Sequence, residues 1–161
     1  MGACRWAAAA PLTVAFDRGT PRSVKLATRA AMSAWETQVS EHLFKEVSAW
    51  PIADVVIVYD RRWQGPDVVA WTETYWLTPQ DRMRHVVSLN AKHYRWRRGD
   101  WGRIGRRVAL DGVLMHELGH TLGLSDLPWD ESEPTMYGRV TPGALSLEAA
   151  DYNSYASEMR R

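Results

Sequence analysis

The chain has 161 residues, 45% of them hydrophobic and 24% charged, which is ordinary for one globular domain and argues against wholesale disorder. Lys and Arg number 20 against 19 Asp and Glu, a formal net charge of +1, so the average implies no polyanionic partner. The single cysteine, Cys4, excludes an internal disulfide framework, and no apolar run approaches the length of a membrane span. Nine Trp are an excess that composition does not explain.

Residues 1–11 are expected to be irregular. Their apolar stretch, Ala7 to Ala10, is short and lacks a strong basic n-region, so it is not read as a signal peptide. Leu12 to Asp17 reads as a first strand. Thr20 as N-cap and Pro21 at the first helical position predict a helix to about Val39, with Val24, Ala27, Ala31, Ala34 and Trp35 on its apolar face. Leu43 to Val47 reads as a short strand, and the β-branched run Ala53 to Tyr59 as the centre of a sheet. Asp67 to Thr74 and His85 to Asn90 supply two more strands, separated by a polar loop containing Pro79.

Lys92 to Arg107 is rich in Arg, Trp and Gly and reads as a loop. Asp111 is placed as the cap of a second helix running to about Leu124 with Gly123 at its end. A loop-like stretch follows from 125. Ser146 then caps a final helix with Ala149, Tyr152, Ala156 and Met159 inward. The order is that of one α+β domain over residues 1–161, with a C-terminal subdomain from about 125.

The second helix carries the chemistry. In His116-Glu117-Leu118-Gly119-His120 the two imidazoles are four residues apart, one turn apart on one face, where both can reach one ion. Glu117 is placed beside that ion rather than on it, as a general base for water and a proton donor to a leaving amine. A catalytic zinc needs a third protein ligand. Gly123 permits a left-handed turn that reverses the chain and returns Asp126 to the metal. Asp130, Glu131, Glu133 and Glu148 are rival third ligands, although Gly123 has no role in those arrangements.

The stretch HELGHTLGLSD resembles the metzincin signature of zinc peptidases, with an Asp where most members carry a third His. Asp at that position resembles the snapalysin group, and the flanking residues resemble the matrixins. The resemblance implies one catalytic Zn2+ held by His116, His120 and Asp126, with Glu117 as catalytic base. It also implies a Met-turn in Glu133-Pro134-Thr135-Met136-Tyr137, with Met136 beneath the metal. The implied fold is a mixed twisted sheet with a long helix, an active-site helix and a C-terminal helix. A polypeptide substrate would pair with an edge strand, best placed at Val68 to Thr74. Val69, Ala70 and Trp71 would contact it there, and Tyr137 and Arg139 would wall the pocket beyond the scissile bond. The resemblance further implies a secreted or extracellular enzyme, and a monomer is expected. Structural Ca2+ sites, common in the resembled family, are not readable in this sequence.

Bland readings stand beside these. A helix with two incidental histidines is the alternative to a zinc site, and core filler the alternative for Met136. His42, His85 and His93 lack ligand spacing and read as surface or satisfied polar residues. Residues 92–107 hold seven basic side chains against Asp100, a local +6 that leaves −5 for the rest. With Trp96 and Trp101 interleaved, that resembles a nucleic-acid surface. An exposed loop whose arginines stack on Trp and pair with acids elsewhere is preferred, so nucleic acid is not expected as a partner. The functional alternative to a peptidase is a silent zinc-containing binding module that uses this basic loop.

Overall fold

The computed structural model describes residues 11–77, 82–99, 103–104 and 107–126. Strand β1 (Leu12–Phe16) leads into helix α1 (Arg22–Val39), then β2 (Phe44–Glu46), a 3-10 turn at Trp50–Ile52, and β3 (Val55–Asp60). The hairpin of β4 (Ala70–Leu77) and β5 (Arg82–Asn90) follows. Short strands β6 (Arg95–Arg97), β7 (Arg103–Ile104) and β8 (Arg107–Ala109) then lead directly into helix α2 (Leu110–Thr121). The architecture is α+β. No helix among the described residues is long and apolar enough to cross a membrane.

The main sheet has the order β2-β1-β3-β5-β4. Strands β2, β1, β3 and β5 run parallel and β4 runs antiparallel to β5. The β-branched run of β3 is therefore central, as its composition predicts, because β-branched residues pack well on the pleated surface of a buried parallel strand. Helix α1 makes the crossover between parallel β1 and β2, a connection too long for a tight turn. β4 is the edge.

The alternation of the strands sorts two faces. Val14, Val55, Ile57, Val87 and Leu89 point to one side, where they form a single core with α1 and α2. Trp35 is fully buried there, and its Nε1 donates to the Met115 carbonyl at 2.9 Å, tying α1 to α2. Burying a side chain of this class contributes about 1.5–3 kcal/mol. The other face holds a smaller cluster of Ala15, Ala53 and Val56.

Four expectations change. Thr20 does not cap α1: Pro21 occupies the N-cap, and the buried Thr20 hydroxyl donates instead to the Ile57 carbonyl at 3.2 Å. The tertiary acceptor outcompetes the local one. The β4–β5 hairpin extends beyond Thr74 and starts before His85, through the pairs Tyr75–Arg84, Trp76–Met83 and Leu77–Arg82. Arg82 and Arg84 reach across to the carbonyls of Ile52, Ala53 and Pro51, and Arg82 Nε also bonds Asp54 Oδ1 at 2.8 Å, so these polar residues hold a sheet end rather than a loop. The 92–107 segment is not all loop, since β6, β8 and β7 form a three-stranded sheet in that order. Asp111 does not cap α2, whose N-cap is Ala109. Its buried carboxylate accepts from Arg98 Nε at 2.6 Å and the Gly99 N–H at 2.7 Å, pinning the end of β6 to the start of α2.

The expected irregular start, Pro79, the Met-turn with Met136, Tyr137 and Arg139, and the C-terminal helix lie outside the described residues. So do Asp130, Glu131, Glu133 and Glu148.

Candidate metal centre

Helix α2 is apolar around most of its circumference and is packed accordingly. Every one of its residues is buried except His116 and His120. An apolar helix buried on all sides is ordinary core; here two imidazoles one turn apart are its sole opening to solvent, an arrangement that can hold a ligand.

The turn after α2 sets the third group. Gly123 has φ 85°, a left-handed conformation that a Cβ would resist. Its N–H donates to the His120 carbonyl at 3.0 Å, and the Leu124 N–H donates to the Gly119 carbonyl at 3.1 Å. These are the paired bonds of a Schellman ending, which satisfy the last carbonyls and fold the chain back along the helix. Asp126 consequently returns to the histidines, as the sequence spacing implies.

The three candidate ligand atoms form a compact triangle. His116 Nε2 and His120 Nε2 are 3.0 Å apart, and Asp126 Oδ1 lies 3.2 Å from the first and 3.5 Å from the second. Ligands placed about 2.0–2.1 Å from a tetrahedral zinc are separated by roughly 3.3 Å, so the triangle has the size of one face of that tetrahedron. The rings stand at 88° with centroids 4.6 Å apart, an edge-to-face arrangement. His120 Nδ1 lies 2.8 Å from the Leu124 carbonyl. That acceptor places the proton on Nδ1 and leaves the Nε2 lone pair for a metal. The donor set of two imidazoles and a carboxylate suits zinc. Among the described residues no other group of three such side chains gathers this closely.

The two carboxyls of this cluster are shifted in opposite directions. Asp126 is held below the usual carboxylate range, chiefly by its contact with His116. Glu117 is only 5% exposed, and burial raises its carboxyl above that range against the opposing pull of His116, the Thr72 hydroxyl and His120. A buried carboxylate with raised proton affinity is suited to accepting a proton.

The sequence matches no model of a known protein family and no curated protein.

Of the residues expected to contact substrate, Val69, Ala70 and Trp71 lie at the start of the edge strand, though not equivalently. The Val69 carbonyl is taken by the Asn90 N–H at 2.9 Å, and the Val69 and Ala70 side chains pack against the core. The Trp71 indole is 55% exposed and projects from the face opposite to Thr72, its neighbour in the strand. Sequence reasoning placed no role on Thr72. Its hydroxyl donates to Glu117 Oε2 at 2.5 Å and lies 3.3 Å from the Glu117 carbonyl. Its position inside the strand assigned to substrate was the available signal; its partner, 45 residues away, was not visible.

The remaining histidines stand apart from this cluster, and the buried Nε2 of His93 has no hydrogen-bond partner among the described residues. His42 Nδ1 sits 3.0 Å from Glu36, and buried His85 shares a 2.9 Å bond through Nδ1 with the Thr74 hydroxyl.

Proposed function

We propose that the chain is a zinc-dependent endopeptidase of metzincin type, acting on a polypeptide that pairs with β4. The observation that carries this reading is the triangle of His116 Nε2, His120 Nε2 and Asp126 Oδ1, with the buried Glu117 carboxylate next to the first ligand in the chain. A zinc ion held by these three atoms would supply an acidified water and a polarised peptide carbonyl. Glu117 takes the proton of the attacking water and returns it to the departing amine. Thr72 already occupies Oε2, so Oε1 is the atom that carries the proton. The raised proton affinity of this carboxyl, caused by burial, favours the uptake half of that cycle. Among the described residues β4 is paired on one side only, which leaves its other side for an extended substrate.

The test is metal analysis combined with a quenched fluorescent peptide library, comparing the wild type with Glu117→Ala. One equivalent of zinc and cleavage that falls by at least about 10²-fold in the variant are expected, since the base alone contributes roughly 10²–10⁴-fold. Zinc at one equivalent with equal, or no, cleavage in both proteins would overturn the enzyme reading.

One observation favours a second reading, a binding module for an acidic polypeptide. Arg95 and Arg107 are direct partners across β6 and β8 and both are exposed, with Arg97 two residues along the same strand. Like charges placed side by side on a sheet are unfavourable without an anion, and among the described residues none of the three has a carboxylate partner. Arg98 does not belong to this set, because Asp111 holds it. Capture of an acidic peptide that collapses in Arg95→Ala/Arg97→Ala, with no cleavage by any preparation, would establish the second reading over the first.

A further inference from the structure

We infer that Thr72 is a positioning residue for the base: its hydroxyl fixes the Glu117 carboxylate from the same strand that receives the substrate. This rests on the endopeptidase reading and assigns a further residue to the same site. The Thr72 hydroxyl has one proton and two acceptors within reach, Glu117 Oε2 at 2.5 Å and the Glu117 carbonyl at 3.3 Å. The shorter distance lies in the range of charge-assisted O–H···O⁻ bonds, so the carboxylate receives the proton. Glu117 is otherwise a long side chain with several rotatable bonds, and a base acts only when one oxygen is held where the proton leaves. The bond engages Oε2 and turns Oε1 free.

The strand is what gives the contact its meaning. Thr72 lies directly across from buried Val87 of β5, so the position of the hydroxyl is locked by the sheet. An extended peptide pairing with the open side of β4 would lie about 4.8 Å from that strand. Substrate backbone and catalytic carboxylate are thus both located by β4, and an error in the strand displaces both together rather than one against the other. The strand itself requires no hydroxyl here: valine has the same shape and suits a strand as well.

The test compares Thr72→Val and Thr72→Ser with the wild type, all loaded with zinc, in kcat and KM on one peptide and in Kd for a peptide hydroxamate measured by displacement. Thr72→Val is expected to lower kcat by roughly 10- to 100-fold with KM within about twofold, because a hydrogen bond to a charged group is lost without any substrate contact. Thr72→Ser is expected to restore most of kcat. Zinc affinity and melting temperature should stay close to wild type in both variants, and hydroxamate affinity should fall in the valine variant alone. A valine variant with kcat within twofold of wild type overturns the role, as does equal loss in the serine and valine variants or loss confined to KM. An inactive wild type overturns the endopeptidase reading itself, which separates the two failures.

Discussion

His120 Nδ1 and the Leu124 carbonyl oxygen lie 2.8 Å apart, bridging the one-residue left-handed turn at Gly123. The same turn that ends α2 therefore sets the tautomer of one candidate metal ligand and the return of another, Asp126. Gly123→Ala places a Cβ in a conformation that costs about 1–2 kcal/mol. Relief of that strain would move Leu124 and Asp126 together, so zinc affinity should fall by roughly tenfold. Competition against a chromophoric chelator measures it, and an unchanged affinity would dissociate the turn from the site.

Asp126 should be required for tight zinc binding. Asp126→Ala removes one of three protein donors, whereas Asp126→His replaces it with another good ligand. The alanine variant is expected to lose most of the thermal stabilisation that zinc confers, which for a site with zinc at 100 times its Kd is about 2.7 kcal/mol. The histidine variant should retain much of it. Full stabilisation of the alanine variant would show that a residue beyond 126 supplies the third ligand.

The bond from Trp35 Nε1 to the Met115 carbonyl holds the platform helix against α1. Trp35→Phe keeps an aromatic ring but removes that donor and leaves a gap, and should cost about 1–3 kcal/mol in urea denaturation. Because Met115 precedes His116, zinc affinity should drop as well. A variant as stable as wild type would mean that apolar packing alone joins the helices.

His85 is expected to make the fold acid-sensitive. Burial lowers its pKa from 6.5 to about 4, with Asp54 pulling weakly the other way. In the unfolded chain the imidazole takes up its proton near pH 6.5, whereas in the folded chain it resists until about pH 4. Its contribution is therefore whole above pH 6.5 and drains away as the pH falls toward 4, by roughly 3 kcal/mol in total. Denaturation midpoints of wild type and His85→Gln, followed across this window, should converge in acid because only the wild type carries this slope. Parallel curves would sink the assignment.

The local features of the chain were legible where neighbours in sequence decide them. The four-residue spacing of His116 and His120, the left-handed turn at Gly123 and the β-branched centre of β3 all depend on backbone preferences within one turn or one strand. The helix face through Val24, Ala27, Ala31 and Trp35 follows from periodicity in the same way. Where the reading failed, a distant partner had prevailed. Thr20 gives its hydroxyl to Ile57, 37 residues on, instead of capping its own helix. The arginines of 82 and 84 extend a hairpin because carbonyls near residue 52 receive them.

For the candidate site, the sequence by itself determined which groups are offered: two imidazoles on one helix face, a carboxylate beside them and a glycine that allows the chain to turn back. Only the tertiary structure decided how they stand. Burial of α2 against α1 and the sheet left those imidazoles as the helix's sole opening and raised the proton affinity of Glu117. Sheet order brought Thr72 of the edge strand to that carboxylate across 45 residues. The division has a physical cause, since turn and helix preferences act over a few residues, whereas burial and strand pairing depend on segments that meet only when the chain folds.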